Sequence, residues 1–436
     1  RAEARQVSFV RVIDSQATRD TVPRDSHRTR CRTRRLLGSR TPDRKTVLGP
    51  GMGPWNHKGG GTVVMKMRSD VVASRMLSDV KPEGFVGSAT DGLWLGKRIG
   101  ERAEWAFLEA GIPFEEDVSN AEQKGRFLVR SDVAITRDAV AAFAGAVGKE
   151  DACWQIEGRL ANFIADLRMG DDGPLLVYLK PGGAITSERI SNAEPCIIDT
   201  KERTLEFPLS EVHHGASHLE LPISDRLVMP TAHWLQLLWA NLLGLGPHLW
   251  RTLMGRNVVE VVFRGLWAAL RAGSFKPQRI GAHLGRIGKG CRIHPSAVVE
   301  GCWIGDGVEI GANAVVRGAI IADGAIVEDL AMVEFSVIGA LARVQRQAMV
   351  KFSVLFGGSA AGGLMQLGVL DTNAALKRTA VLMDVSYGQQ VQVVANGERH
   401  AAPLGMAGVC VGAASTVGAG IHIAAGRCIP PNVQIV

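Results

Sequence analysis

The stretch "CWIGDGVEIGANAVVRG", residues 302–318, decides the fold of the C-terminal part, because Ile304, Ile310 and Val316 follow one another at steps of six. Ile287, Ile304, Ile321, Ile338 and Leu355 stand 17 residues apart, as do Ile293, Ile310, Val327 and Val344. Val299, Val316, Val333 and Val350 form a third series at the same interval. Two steps of six and one of five fit neither a helix nor an alternating strand. They fit a chain wound as a three-sided prism, in which each side gives one aliphatic residue to an inner stack. Gly288, Gly305, Gly311 and Gly339 directly follow column residues, which suits a corner where the backbone turns sharply or approaches its neighbour.

The runs "IGKGCRIHPSAVVEGCW" and "IGDGVEIGANAVVRGAI" resemble the hexapeptide repeat of left-handed parallel β-helices, and the hand is implied by that resemblance alone. About four coils are expected up to Leu355, with a break in "FGGSAAGGLMQLG" and a return in steps of six at Val411, Val417, Ile423, Ile429 and Ile435. Between them, "VQVVANGERHA" reads as a hairpin inserted near 385–403, with Asn396-Gly397 as a type I′ turn. Pro430 and Pro431 are expected to end the coils. The resulting division is a basic disordered leader (1–51), an α/β domain (52–225), a helical connector (226–279) and the β-helix (280–436).

The net charge of +7 misleads, because residues 1–51 hold 12 arginines and one lysine against five acidic residues while the rest of the chain is nearly neutral. No aromatic beyond Phe9 interleaves those charges, so no nucleic-acid partner is expected. The leader reads as disordered rather than as a polyanion-binding arm, and with Met52 as a plausible start after it the sequence leaves open whether 1–51 belongs to the natural protein. Seven cysteines without CxxC spacing support neither a zinc ribbon nor a disulfide framework, and a cytoplasmic location is the default. "LVMPTAHWLQLLWANLLGLGPHLW", 227–250, carries no formal charge, but Pro230, His233, Gln236, Asn241, Pro247 and His248 make it too polar to span a bilayer. It reads as a connector helix with Leu235, Leu238, Trp239 and Leu242 on one face, followed by a second amphipathic stretch, "NVVEVVFRGLWAALRAG". Trp234, Trp239, Trp250 and Trp267 with nearby arginines leave weak membrane-surface contact through 227–274 as the alternative.

In the front part, "KRIGERAEWAFLEAGI" reads as a helix closed by Gly111, "RFLVRSDVAI" as a strand, and "TRDAVAAFAGAVG" as a helix with Thr136 at its N-cap. "PLLVYL" is a further strand, and the alternation suggests a mostly parallel sheet with Asp132 at a strand's carboxyl end. An α/β domain followed by helices and a hexapeptide β-helix resembles the sugar-1-phosphate nucleotidyltransferases. "LGKRIGERAEWAFLEAGI" and "GRFLVRSDVAI" resemble two segments of that family. The resemblance implies nucleotidyl transfer from an NTP to a sugar phosphate, Mg²⁺ at Asp132, a cation at Lys97 and a phosphate loop at Gly59, Gly60, Gly61 and Thr62. This chain departs from the family pattern where "GGGT" lacks the following Arg-Leu, where Lys81-Pro82 reverses the Pro-Lys order, and where the sheet is shortened.

Two alternatives remain. Hexapeptide β-helices of acyltransferases use a histidine to deprotonate the acceptor that attacks an acyl-CoA thioester. His294, His400 and His422 are candidates here, with His422 in the closing coils. A non-catalytic scaffold is the other. "EVHHGASH" could place His214 and His218 at zinc-binding spacing if helical. Self-association is expected, as the usual way such prisms cover their faces.

Overall fold

The structure, a computed structural model, describes residues 68, 70–76, 91–115, 124–168, 173–213, 216–255, 258–272, 284–386 and 388–436. The leader 1–51, the Gly59–Thr62 loop and the Lys81-Pro82 pair lie outside the described residues. In chain order the front part comprises β1 (Val71–Met76), β2 (Leu93–Trp94), β3 (Lys97–Arg98), α1 (Ile99–Glu109), β4 (Gly125–Arg130), β5 (Val133–Ile135) and α2 (Arg137–Ala146). There follow β6 (Ala152–Gln155), α3 (Arg159–Asp166), β7 (Leu176–Leu179), α4 (Ser187–Ser191), β8 (Glu194–Ile197), β9 (Arg203–His213), β10 (Ala216–Ile223) and β11 (Val228–Pro230). Two helices, α5 (Trp234–Met254) and α6 (Val258–Ala272), precede the coils.

The front sheet has the order β1-β4-β7-β6-β8. It is mixed rather than mostly parallel: β1 runs parallel to β4 and β8 to β6, whereas β7 is antiparallel to both β4 and β6. "RFLVRSDVAI" is two strands, because the chain turns at Ser131-Asp132 and β5 leaves to pair antiparallel with β11. One face packs on α1 and α2 through an aromatic cluster in which Phe127 meets Tyr178 (4.9 Å between ring centroids) and Phe143 meets Trp154 (5.9 Å). Helix α1 ends at Ala110, followed by Gly111 with φ of 81°. Thr136 holds the N-cap position of α2, but its hydroxyl binds the Asp225 carbonyl at 2.7 Å instead of capping the helix.

From Arg286 onward the chain is a three-sided parallel solenoid with faces of eight, eight and seven strands, all in register. The inner columns are Ile287 to Ile429, Ile293 to Ile435 and Val299 to Ile423, and the middle members are fully buried. The coils do not stop after Leu355. Leu355 pairs with Leu370, Val344 with Ala361 and Val350 with Met365, so "FGGSAAGGLMQLG" is itself a rung, 15 residues long instead of 17. An inward alanine and a shortened step hide it from a search for aliphatics. Pro430 and Pro431 do not end the fold either, since they form a corner before a last strand, Gln434–Ile435. The column glycines answer to close approach rather than to turning. None of Gly288, Gly305, Gly311 or Gly339 has positive φ, and a Cβ on Gly339 would meet the Leu355 carbonyl oxygen at 2.7 Å.

One outer face of the prism is apolar. From its second to its seventh strand the residue preceding the column member is Trp303, Ile320, Val337, Val354, Val369 or Cys410, and the last five are buried. Ile320 to Cys410 share one core with α5, with Trp94, Ile99 and Leu160 of the front part, and with Val391 and Val393 of the inserted segment. Another face carries a ladder of alternating charge, with Arg317 between Glu300 (2.9 Å) and Glu334 (3.4 Å) and Lys351 on Glu334 (3.0 Å). Helix α5 is buried nearly all round: Trp234 and Trp239 are 1% and 0% exposed, which removes both from any membrane surface. Among the described residues no helix is long and apolar enough to cross a membrane.

Because the columns are close-packed, Ile321→Ala should cost about 2–5 kcal/mol of stability. Leu341→Ala, at an exposed corner, should change it by less than about 0.5 kcal/mol. Urea denaturation of the two variants checks the contrast.

Candidate functional site

Between Leu382 and Val411 the chain leaves the prism and builds a hairpin, Gln392–Ala395 with Glu398–Ala401. Asn396 and Gly397 at its tip both have positive φ, 52° and 79°, as a type I′ turn requires. The hairpin alternates: Val391, Val393 and Ala395 are buried in the shared core, while Gln392 and Val394 face the other way. Its first strand passes so close to the last coil that a Cβ on Gly426 would fall 2.3 Å from the Gln392 carbonyl oxygen.

Under this arm lies a cleft of about 490 Å³, whose lining includes His422, Arg399, Arg427, Gln389, Gln392 and Val385. His422 belongs to the last strand of its face, paired to Val381, and precedes the inward Ile423, so its imidazole is exposed. Among the described residues no carboxylate lines the cleft, and its charged groups there are the two guanidinium cations. A site with two guanidinium groups, amide side chains and one histidine on a rigid strand suits an anionic ligand beside a proton acceptor. Arg399 and Arg427 escaped the reading of the sequence. Each is a lone cation, in "NGERH" and "AAGRC", and only the folding of the arm onto the final coil brings them together.

The other expected site residues lie elsewhere. Neither Lys97 nor Asp132 lines this cleft. Lys97 lies over the Trp105 ring, 5.5 Å from its centroid. Asp132 is fully buried and both of its carboxylate oxygens accept hydrogen bonds from Arg130, at 2.6 and 2.8 Å. Its own carbonyl takes the Thr231 amide and hydroxyl. Mg²⁺ does not fit there, because a guanidinium already occupies the oxygens a cation would need. His213 ends β9 and His218 lies in β10, so His218 is on a strand rather than a helix, while His214 lies outside the described residues. Among the described residues no cluster of metal-ligating side chains occurs. His294 is spent in a corner, its Nδ1 2.8 Å from the Ser296 hydroxyl.

The arm is held to α5 by His233. The Nδ1 of this ring accepts the Leu235 amide (3.2 Å) and its Nε2 faces the Val394 carbonyl (3.3 Å), so the neutral Nε2–H tautomer satisfies both contacts. Burial drives its pKa down to about 4, with His400 pushing the same way against the Val394 contact.

Residues 285–318 match the bacterial transferase hexapeptide family, described as six repeats. The C-terminal part is thus a left-handed β-helix built of hexapeptide repeats. A crystal structure of a provisionally assigned acetyltransferase from Bacillus cereus aligns with 34% of this chain and 77% of its own length, at 17% identity and a TM-score of 0.16. No curated protein matches the chain in sequence. The family match lies within the solenoid and does not reach the front part.

The depressed pKa of His233 sets the sign of a pH effect. Above about 6.5 the ring is neutral folded or unfolded; between about 6.5 and 4 only the unfolded chain takes the proton, so stability falls as pH falls through that window. The loss attributable to His233 should reach about 3 kcal/mol. His248, also held neutral by burial and by Arg102, adds slope of the same sign. The difference between wild type and His233→Asn in urea unfolding at pH 7.5 and pH 4.5 isolates the His233 share.

Proposed function

We propose that the chain is a hexapeptide-repeat acyltransferase whose site is the cleft under the arm. The observation that carries this reading is His422, held on a rigid solenoid strand and opening into a cavity with Arg399 and Arg427. In this reading His422 takes the proton from an acceptor amine or hydroxyl as its nitrogen or oxygen attacks the thioester carbonyl of an acyl-CoA. The C–S bond breaks, the acyl group passes to the acceptor, and the thiolate leaves and is protonated. Arg399 and Arg427 neutralise donor phosphates, for which guanidinium groups are suited.

The reading of the front part as a nucleotidyltransferase finds no support in the Asp132 environment. In this account the front sheet and α5 are the platform that fixes the arm, through His233 and the shared core.

The test is CoA thiol release from acetyl-CoA with a panel of amine and sugar acceptors. His422→Ala should lower kcat by about 10²–10⁴-fold. Arg427→Ala should raise the KM for acetyl-CoA about tenfold, the equivalent of one charge-assisted contact. Absence of both thiol release and a CoA-dependent rise in melting temperature would favour the scaffold reading instead.

A further inference from the structure

Two thiols stand one above the other at the C-terminal end of the docked face. Cys410 and Cys428 are 18 residues apart, the length of one coil when all three steps are six, and each immediately precedes an inward residue, Val411 or Ile429. Their strands are parallel neighbours in register, with Cys410 opposite Cys428, and the Cys410 amide donates to the Arg427 carbonyl at 2.9 Å. Adjacent strands lie about 4.8 Å apart, inside the span of about 4.4–6.8 Å between the Cα atoms of a disulfide. Register separates this pair from Cys153 and Cys196, which also lie on paired strands. Cys153 stands opposite Pro195 and Cys196 opposite Trp154, so those two side chains pack on different faces of the front sheet.

The surroundings divide the work between the two sulfurs. Cys428 is exposed, whereas Cys410 is fully buried in the core shared with α5. Burial holds the Cys410 thiol well above the usual cysteine range, and its hydrogen bond with Cys428 and the nearby Asp371 carboxylate act in the same direction. Cys410 therefore keeps its proton, and the sulfur an oxidant reaches first is that of Cys428. Among the described residues the strand Cys428–Ile429 pairs only with Cys410–Val411, so the small shift that brings the two Cβ atoms to disulfide distance disturbs a single ladder.

We propose that Cys410 and Cys428 form a redox modification site, a dithiol that hydrogen peroxide converts to a disulfide clamping the final coil to the docked face. The Cys428 sulfur attacks one peroxide oxygen, the O–O bond breaks, and the other oxygen leaves as water with the Cys428 proton. The Cys410 sulfur then attacks the sulfur of the resulting sulfenic acid. The S–S bond forms, the S–O bond breaks, and the hydroxide departs with the Cys410 proton as a second water. The pair gives up two electrons and two protons, and the peroxide takes them. Arg427, beside Cys428, lines the cleft, but the inference is independent of the chemistry assigned there.

Peptide mapping tests it on the full chain, titrated with hydrogen peroxide while folded and then unfolded in an alkylating agent. The expected result is a peptide joining Cys410 to Cys428, lighter than the reduced pair by two hydrogens and separated by dithiothreitol, with no link between Cys153 and Cys196. In Cys410→Ala a sulfenic acid at Cys428 should persist and be trapped by dimedone, whereas Cys428→Ser should leave Cys410 an alkylatable thiol. The linkage is read on the unaltered chain, so the outcome does not hang on the folding of either variant. Peroxide that carries Cys428 to the sulfinic acid, or joins it to a second chain, while Cys410 remains a thiol overturns the proposal. So does survival of both thiols.

Discussion

The packing of α5 against one outer face of the solenoid is the constraint on which the rest depends. A parallel solenoid with a polar exterior needs only its inner columns. This one adds an outer column, Ile320, Val337, Val354, Val369 and Cys410, that would be exposed without a partner. Helix α5 and the front part cover it, so the two regions share one core. The arm joins that core through Val391 and Val393, which fixes it over the closing coils and creates the cleft at His422. Site geometry is thus a consequence of the docking between the parts rather than of the repeats alone.

The polar residues of α5 show how such docking is made specific. In sequence they read as interruptions of an apolar run, arguments against a membrane span. In the fold the two amides are committed: Asn241 accepts the Leu95 amide at 2.8 Å and donates to the Leu93 carbonyl, and Gln236 donates to the Leu167 carbonyl at 2.9 Å. His233 caps the helix and meets the arm. Trp94 closes the set by donating to the Ala240 carbonyl at 3.1 Å. Buried polar groups that are fully paired specify one arrangement where an apolar surface alone would tolerate several.

The solenoid was legible because its columns are branched aliphatics at a fixed interval, and that interval has a single structural reading. Where an inward residue is Ala361 or the step shortens to Met365, the same geometry persists but the signal fades. The docked face was not read from the sequence, because apolar residues such as Ile320, Val337 and Val354 before the column members acquire an outward direction only once the prism is known. Asp132 misled because a carboxylate at a strand end looks the same in sequence whether it meets a cation in solvent or Arg130 in a core. The cleft lay beyond sequence reasoning, since Arg399, Arg427 and His422 sit on separate segments joined only by the arm's return path.

Native-state hydrogen exchange tests the docking most directly. If α5 and the outer column form one core, the amides of α5, of Leu95 and of Ile320 to Val369 should open with the same free energy, that of global unfolding. If α5 and Leu95 exchange through a cheaper opening while the solenoid stays protected, the two parts are separate folding units, and the cleft beneath the arm loses its foundation.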